Sequence, residues 1–452
     1  MSESETPREP ESAETPPPPP APAAPVKEGE RLLRLDMVRG IALMGILLVN
    51  ILAFGLPHPA WITPGVWEGE TALDRMVSNV ISTLVLGKFY PLFTILFGIG
   101  LSMQYRRLRE RSAPGSRPSL ALLLRRLAWL AVIGLLHVVL FWEGDILFQY
   151  AIAGLVGVLF LGLTNRVVLW VAAIFFVLSA VCCMVPMAAL SAFVETGEAV
   201  DPATFQMAKE YADNTPLELA LKALEPLPES AAATAAVYIH GSWLEVMVFR
   251  TVLYIIYTLS MLLQLHLFLL VALVLFGFWL DRTGFFTTTW MAPDGFKWVM
   301  PACLPVGLAG STALVYAFSG HPELAYYRFA LNASVGVVMA LGYLWVLRSI
   351  PWEALGRVVR APLSAMGRMA LSNYLLASVF FTTFFYGYGW GFYGRFQYTG
   401  LVVLAVGFWA VQMAFSLLWL HHFRFGPVEW AWRSLTYWKA QPLLRDGDRE
   451  GT

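Results

Sequence analysis

Residues 37–57 read MVRGIALMGILLVNILAFGLP, and Arg39 and Asn50 are the polar side chains of this stretch. A helix of about 20 apolar residues crosses the ~30 Å hydrocarbon core of a bilayer. Further stretches of this kind lie at approximately 88–105, 121–141, 146–163, 167–190, 256–280, 297–318, 328–347, 366–386 and 400–420. Continuous apolar runs exclude the alternating pattern of a membrane barrel. The sequence therefore predicts an all-α, polytopic integral membrane helical bundle of about ten transmembrane helices.

The composition of the chain supports this class. Of its 452 residues, 58% are hydrophobic and 14% are charged, whereas soluble proteins carry roughly 25% charged residues. Lys and Arg together number 31, and so do Asp and Glu. The chain therefore has no positive net charge that would favour a nucleic acid partner. The cysteines, Cys182, Cys183 and Cys303, have no spacing typical of a disulfide framework or a metal site, and we interpret them as small core hydrophobes.

The distribution of Lys and Arg predicts the orientation in the membrane. Segment 104–126 holds seven arginines and one acidic residue, so we expect it on the cytoplasmic side. Counting spans outward from it makes 57–73, 142–145, 191–243, 319–327 and 387–399 external, with zero, zero, two, zero and one Lys/Arg respectively. Every loop agrees with one topology. It places both termini in the cytoplasm.

The chain divides into five predicted regions. Residues 1–28 are a Pro-rich tail that we expect to be disordered, 29–190 an N-terminal membrane half of five spans, and 191–243 an external acidic loop. Residues 244–440 form a C-terminal membrane half of five spans, followed by a polar tail, 441–452. The loop is long enough for a small helical lid and equally for an amphipathic spacer. The 38-residue apolar run 243–280, interrupted by Arg250, is interpreted as an interfacial helix followed by a span.

Polar residues of the first span form a candidate seam. Asp36 and Arg39 are three residues apart and can pair on one helix face. Asn50 lies eleven residues after Arg39, almost three whole turns, and continues that face. Arg39 can face an anion from the cytoplasm. The alternative is a juxtamembrane arginine that snorkels to the interface.

The third span carries the main catalytic candidate, His137. It shares a helix face with Arg126 and precedes Glu143 and Asp145, either of which can orient its ring as a general base. A buried histidine bonded across helices is the structural alternative, and Asp145 can simply cap the next helix. His58 is a second candidate histidine.

Five groups of motifs resemble the YeiB-like family of bacterial membrane proteins, which carries the domain of unknown function 418. They are LDMVRGIALMGILLVN at 35–50, GKF at 87–89 with LFGIG at 96–100, GLLH at 134–137 with GDIL at 144–147, GRMALSNY at 367–374, and FRFGPVEW at 423–430 with RSLTY at 433–437. The resemblance covers nearly the whole chain outside the tail and the 191–243 loop. It implies a multi-pass protein of the bacterial plasma (inner) membrane.

The first motif also resembles the opening helix of the transmembrane acyltransferase superfamily, which includes heparan-α-glucosaminide N-acetyltransferase. That similarity implies transfer of an acyl group from cytosolic acyl-CoA, by means of a histidine, to a small-molecule, lipid or glycan acceptor across the membrane. Arg39, Arg125, Arg126 and Arg368 would then hold the coenzyme A phosphates. His137 would be the base, Asp145 its orienting group, and Asn50 and Lys88 would line the tunnel or stabilise an oxyanion.

Two other functions fit the sequence. A transporter or lipid flippase would use the polar seam as a translocation path, although the two halves show no convincing repeat. A membrane scaffold would need no substrate. We expect acyl-CoA only as a co-substrate, no permanently bound cofactor or metal, and the lipid bilayer as the main partner, with a homo-oligomer left open.

Overall fold

The computed structural model of the protein is helical over most of the residues that it describes, which are 33–57, 71–112, 119–193, 202–225, 229–263, 266–286, 290–291, 293–317 and 325–445. In chain order the helices are α1 (Leu33–Gly55), α2 (Ala72–Leu84), α3 (Phe89–Glu110), α4 (Ala121–Leu140), α5 (Leu147–Val158), α6 (Asn165–Phe193), α7 (Pro202–Glu210), α8 (Pro216–Lys222), α9 (Glu229–His240), α10 (Trp243–Leu263), α11 (His266–Arg282), α12 (Asp294–Ala317), α13 (Ala325–Ser349), α14 (Arg357–Arg368), α15 (Ala370–Phe385), α16 (Tyr398–His422) and α17 (Pro427–Tyr437).

The length and composition of the helices confirm an all-α polytopic membrane protein. Within the described ranges, seven helical stretches are long and apolar enough to cross a bilayer: Leu33–Gly55, Ala72–Glu110, Ala121–Leu140, Asn165–Cys182, Asp294–Ala317, Leu331–Ser349 and Tyr398–His422. Two shorter apolar helices, Leu147–Val158 and Ala370–Phe385, accompany them. The count of ten spans and the cytoplasmic position of both termini stay predictions.

Helix α11 lies at the centre of the first packing unit, against α3, α5 and α6. Residues 269–275 of α11 are all buried, as expected for a helix that is apolar on every side. Its closest approach is to α3, where Gly98 faces the Val274 backbone and Gly277 faces the Ile95 carbonyl. Glycine at both positions lets the two backbones come together, because any Cβ there would overlap main-chain atoms.

Helix α1 is the centre of the second unit and packs against α3, α14, α15 and α16. Its crossing with α14 depends on Gly40 and Gly367, since a Cβ on Gly40 would overlap the Leu363 carbonyl oxygen and one on Gly367 the Asp36 carbonyl oxygen. This crossing joins two motifs that are more than 300 residues apart in the chain. It brings the C-terminal half of the chain against the first span.

Helix α2 has an inside-out pattern. Leu73, Met76 and Val80 are exposed along one face, whereas Asp74 and Ser78 are buried. The exposed apolar strip suits contact with lipid, and the exposed Arg75 and Asn79 lie beside it. The helix packs against α12 and α16, which places it beside spans.

Three segments differ from the predicted boundaries. The run 243–280 forms two helices, and α10 extends to Leu263, past the predicted start of the span at residue 256. The predicted span 146–163 is a 12-residue helix, α5, which ends in turns because the amides of Leu159, Phe160 and Leu161 bond three residues back. The predicted span 366–386 is broken at Met369, where α14 ends and α15 begins.

The described residues of the acidic segment 191–243 form mainly helices, and its role as a lid or an amphipathic spacer stays a prediction. Helix α8 starts with a capping box, in which Thr215 and Glu218 satisfy each other's backbone amides. Helix α9 is rich in alanine and is buried from Ser230 to Tyr238 against α7 and α8. These helices form a packed unit next to the turn between α4 and α5.

Candidate functional site

His137 and Asp145 form a buried hydrogen-bonded pair at the C-terminal end of α4. His137 lies in the last turn of α4, and the chain reverses through residues 141–146 before α5 begins. The ring Nδ1 is 2.9 Å from Asp145 Oδ1, and the two side chains are 1% and 0% exposed. The structure therefore brings together the histidine and the carboxylate that the sequence nominated, whereas Glu143 bonds elsewhere. Their catalytic role stays a prediction.

The second oxygen of Asp145 holds the start of α5. Asp145 Oδ2 accepts a hydrogen bond of 2.8 Å from the backbone amide of Phe148. Gly134 of α4 makes the approach possible, because a Cβ there would overlap the Phe148 amide and lie 3.0 Å from Asp145 Oδ2. Each oxygen of the Asp145 carboxylate is therefore held by one hydrogen bond.

The other ring nitrogen, His137 Nε2, is buried and has no hydrogen-bond partner among the described residues. Tyr374 of α15 packs against the ring at a centroid distance of 5.2 Å, and its hydroxyl donates to the Gly144 carbonyl over 3.4 Å. If the Asp145 carboxylate accepts the proton on Nδ1, then Nε2 carries a lone pair. This arrangement is suited to taking a proton from a bound molecule.

Glu143 belongs to a second buried cluster next to this pair. It accepts a hydrogen bond of 2.6 Å from the Tyr238 hydroxyl of α9. Tyr238 stacks on Tyr386 at 4.2 Å and contacts Tyr393 at 5.3 Å. Glu143 Oε2 and the hydroxyls of Tyr386 and Tyr393 are buried and have no partner in the described part of the chain. These atoms can bind hydroxyl or amine groups of a ligand.

Burial sets the protonation of this cluster. It raises the pKa of Glu143, and the Tyr238 hydrogen bond and the charge of Arg250 offset only part of that effect. Burial and the nearby Glu143 also raise the pKa of Tyr393 well above its usual range. The Tyr393 hydroxyl therefore remains a hydrogen-bond donor at neutral pH.

Arg250 of α10 is fully buried and closes the end of α4. Its guanidinium donates to the carbonyl oxygen of Val139 twice, over 3.0 and 2.7 Å, and to that of Phe141 over 2.7 Å. These carbonyls have no acceptor role within α4, so Arg250 satisfies the end of the helix that carries His137. It thereby fixes the beginning of the turn 141–146.

Two residues of the polar seam of α1, Asp36 and Arg39, form an ion pair with each other. Arg39 Nη1 lies 3.3 Å from Asp36 Oδ1, and the Asp36 side chain is buried. Arg39 also reaches α3, because its Nη2 lies 3.0 Å from the position of a Cβ on Gly100. Asn50 is half-buried further along the helix. A role for Asp36, Arg39 and Asn50 in substrate binding stays a prediction.

The arginines of α4 and α14 contact the C-terminal segment. Arg126 stacks on Trp432 of α17 at 3.9 Å, and the Trp432 indole donates to the Arg126 carbonyl over 2.8 Å. Arg368 donates to the Arg424 carbonyl over 3.2 Å. Arg125 is half-buried, and its Nε has no partner in the described residues. Arg126 therefore contacts α17 near the end of α4 opposite His137, and Arg368 contacts the segment just before α17.

Lys88, which immediately precedes α3, is fully buried. Its ammonium donates to the carbonyls of Ser82 and Leu86 and to Asn332 Oδ1, over 2.9, 2.7 and 2.9 Å. An ammonium has three hydrogens, so it can donate to all three of these acceptors. Lys88 therefore links the turn after α2 to α13. Its predicted role in the tunnel is not tested, and His58 and residues 1–28 lie outside the described residues.

Sequence reasoning missed Tyr238, Tyr386, Tyr393 and the role of Arg250. A signal existed for Arg250, since a charge inside an apolar run is costly unless it is bonded. Tyr238 comes from α9, and Tyr386 and Tyr393 come from the segment after α15. Their meeting with Glu143 depends on tertiary packing, for which the local sequence holds no pattern.

Comparisons with known proteins agree with the motifs. Residues 280–439 match a family model described as "Protein of unknown function (DUF418)". The chain is 28% identical over 436 residues to the uncharacterized protein YxaH of Bacillus subtilis, with 93% of this chain and 98% of that protein covered. It is 29% identical over 441 residues to the uncharacterized protein YeiB of Escherichia coli, with 93% and 100% covered. No solved structure matches. The resemblance to the YeiB-like, DUF418 family is confirmed, and the similarity to acyltransferases stays a prediction.

Proposed function

We propose that this YeiB-like polytopic membrane protein transfers an acyl group from cytosolic acyl-CoA to an acceptor at the outer side of the membrane. One observation carries the proposal: His137 is buried among apolar helices with Nδ1 bonded to Asp145 and Nε2 unpartnered within the described structure. Such an imidazole is preorganised as a general base, and Asp145 would stabilise its protonated form.

The proposed transfer uses this geometry. His137 Nε2 takes the proton of an acceptor hydroxyl as its oxygen attacks the thioester carbonyl carbon. The new C–O bond forms, the C–S bond breaks, and the coenzyme A thiolate leaves with the proton returned by the imidazolium. Protons and electrons balance without an oxidant or a metal. A general base of this kind contributes typically ~10²–10⁴-fold to the rate.

The donor would enter from the arginine-rich end. Arg126 lies eleven residues before His137 on α4, about 16 Å along the helix. Arg125, Arg126, Arg39 and Arg368 would hold the phosphates there, and the thioester arm would extend along α4 towards His137. The stacking of Arg126 on Trp432 would orient its guanidinium for that role.

Binding of the donor tests this half of the proposal. Purified full-length protein in nanodiscs is titrated with acyl-CoA and with coenzyme A. Arg126→Ala should weaken binding about tenfold or more, because a charge-assisted hydrogen bond contributes roughly 1.5–3 kcal/mol. Arg109→Ala removes the same charge from the exposed end of α3 and serves as the matched control. Equal affinities in the two variants and wild type would refute this donor site.

A second candidate function, transport, is favoured by a different observation. Asn373 Nδ2 donates to Ser416 Oγ over 2.8 Å, and Gln412 Nε2 donates to the Asn373 carbonyl over 2.8 Å, all fully buried between α15 and α16. The amide oxygens of Asn373 and Gln412 have no partner in the described residues. Polar groups inside spans often mark translocation paths. Flux into proteoliposomes that depends on Gln412 and is insensitive to His137→Gln would favour transport.

A further inference from the structure

Helix α14 lies at one end of the helical bundle, beside the first turns of α1 and the last turns of α16. Gly367 lies against the Asp36 carbonyl of α1, and Ala365 belongs to one apolar cluster with Leu420 of α16. The helix has 12 residues, about 18 Å, which is too short to cross the ~30 Å hydrocarbon core. In the predicted topology this end of the bundle faces the cytoplasm, which puts α14 at the inner surface of the membrane.

The first turn of α14 projects from the rest of the protein, whereas residues 364–367 of the same helix are buried. Arg357, Val358 and Val359 are exposed. Val358, at 88%, is the most exposed large hydrophobic residue of the described chain, and Val359 is 46% exposed. Two neighbouring exposed valines cost free energy in water, and immersion in the edge of a bilayer removes that cost.

Two arginines, Arg357 and Arg360, flank these valines. Neither guanidinium has a hydrogen bond, ion pair or ring contact with the residues that the structure describes, and the buried Nε of Arg360 has no acceptor there. By contrast, Arg348 and Arg368, on either side, each donate to a main-chain carbonyl. Glu353 is the single acidic residue from position 324 to position 428. The two guanidiniums are therefore available to an anion from outside the protein.

The position of the valines favours a lipid phosphate over a soluble anion. A soluble anion would pair with the guanidiniums and leave Val358 and Val359 in water. An anionic phospholipid offers phosphate oxygens to the arginines and hydrocarbon to the valines at the same membrane depth. Charge and apolar exposure thus agree on one ligand.

We propose that the first turn of α14 binds anionic phospholipids of the cytoplasmic leaflet. Arg357 and Arg360 would donate to the lipid phosphates, and Val358 and Val359 would enter the boundary between headgroups and acyl chains. This anchor would fix α14, and with it the crossing of α14 and α1, to the membrane surface. The leaflet follows from the predicted topology, and the proposal does not depend on acyl transfer.

Arginine footprinting tests this assignment on the full-length protein. Phenylglyoxal, which modifies guanidinium groups, is added to nanodiscs of phosphatidylcholine with or without phosphatidylglycerol, and modified arginines are quantified by mass spectrometry. Phosphatidylglycerol should slow modification of Arg357 and Arg360 about fivefold, as expected for an arginine bound at an anionic surface. Arg109 and Arg166, exposed in loops of the same predicted side, should slow by less than about twofold, because the surface field decays within a Debye length.

Three results of the footprinting would overturn the proposal. The first is equal slowing at all four arginines, which would show only a general effect of surface charge. The second is unchanged modification of Arg357 and Arg360. The third is the same protection in phosphatidylcholine nanodiscs after addition of inorganic phosphate or coenzyme A, which would identify a soluble anion in place of the lipid.

The valine contribution has its own test in nanodiscs with phosphatidylglycerol. Val358→Gln keeps both arginines but opposes immersion of the turn, so it should restore at least half of the modification rate of Arg357 seen without phosphatidylglycerol. Val358→Leu keeps an apolar side chain and should retain the protection. Equal protection in Val358→Gln and Val358→Leu would overturn the immersion of this turn.

Thermal unfolding in the same nanodiscs measures the effect on the whole protein. Phosphatidylglycerol should raise the melting temperature of wild type, and Arg357→Gln/Arg360→Gln should lose most of that rise. Arg357→Lys/Arg360→Lys keeps the charges and should retain most of it. Arg109→Gln/Arg166→Gln removes the same charge from the same predicted side and should leave the rise unchanged. An equal loss in the two glutamine pairs, or a wild-type rise in Arg357→Gln/Arg360→Gln, would overturn the proposal.

Discussion

Asp145 uses its two oxygens for two different partners, since Oδ1 lies 2.9 Å from His137 Nδ1 and Oδ2 accepts the Phe148 amide over 2.8 Å. The same carboxylate therefore orients the ring and caps α5. The sequence presented orientation and capping as alternatives, and the structure shows both. Because α4 and α5 meet through one side chain, the position of the ring is coupled to the packing of the two helices.

Substitutions of Asp145 separate its two roles. In Asp145→Asn the amide oxygen still accepts the Phe148 amide, but the NH₂ group donates to Nδ1 and moves the ring proton to Nε2. Acyl transfer should fall ~10²–10⁴-fold, because the base is lost, while the melting temperature changes little. Asp145→Ala should also lower stability by about 1 kcal/mol through loss of the cap. Wild-type turnover in Asp145→Asn, measured per folded molecule, would leave Asp145 as a cap only.

Arg250 should be essential for stability rather than for substrate binding. Arg250→Met leaves the Val139 and Phe141 carbonyls without their donor, which costs roughly 1–3 kcal/mol for each unsatisfied group. Thermal unfolding in detergent should show a clear loss of stability. The exposed Arg395→Met serves as the control and should stay within about 0.5 kcal/mol of wild type. Matching melting temperatures for the two variants would contradict this role.

The crossing of α1 and α14 should tolerate no side chain at Gly367. A Cβ there would overlap the Asp36 carbonyl oxygen, so Gly367→Ala must push the two helices apart. Overpacking of this kind costs typically ~1–3 kcal/mol. Gly407→Ala on α16 is the matched control, because nothing lies within 4 Å of its Cβ position. It should be neutral or stabilise the protein slightly. A fully stable Gly367→Ala would show that the crossing is looser than described.

Glu429 should make stability depend on pH. It is buried and accepts hydrogen bonds from the Leu371 and Ser372 amides and the Ser372 hydroxyl, over 2.8, 3.1 and 2.5 Å. Burial outweighs these bonds and raises its pKa above 4.5. Its protonated form is therefore favoured in the folded state, and its contribution to stability is lost as the pH rises from 4.5 through the raised pKa.

Glu429→Gln keeps an amide in place of the protonated carboxyl and should flatten that pH dependence. Thermal unfolding between about pH 4.5 and 8 measures it, with the exposed Glu110→Gln as the charge-matched control. If Glu429→Gln and Glu110→Gln show the same slope as wild type, Glu429 does not carry the effect.

The sequence predicted the spans and the His137–Asp145 pair because both depend on local patterns. Apolar runs of about 20 residues reflect the bilayer thickness, and the two residues are eight apart across one tight turn. The remaining contacts join distant segments. Tyr238 and Glu143 are 95 residues apart, and Arg250 and Val139 are 111 apart. The hydropathy pattern of the sequence does not indicate which distant residues will meet, so these contacts are visible only in the packed structure.

Local patterns also misplaced some helix boundaries. The apolar run 243–280 divides into α10 and α11 near its polar residues Gln264 and His266, which the hydropathy pattern did not single out as a boundary. Arg250 predicts an interfacial helix, which stays a prediction, and its hydrogen bonds to the Val139 and Phe141 carbonyls satisfy the guanidinium inside the protein. Hydropathy reports a residue's cost in lipid, whereas the structure shows whether a partner removes that cost.

The most direct test of the central claim compares acyl transfer by wild type and His137→Gln in proteoliposomes, with labelled acyl-CoA on the arginine-rich side. Transfer should fall at least ~10²-fold per folded molecule in the variant, because glutamine retains hydrogen bonding but is no base. Its melting temperature should stay close to that of wild type. The same turnover in both proteins, or loss of folded variant with unchanged turnover in the remainder, would contradict His137 as the general base.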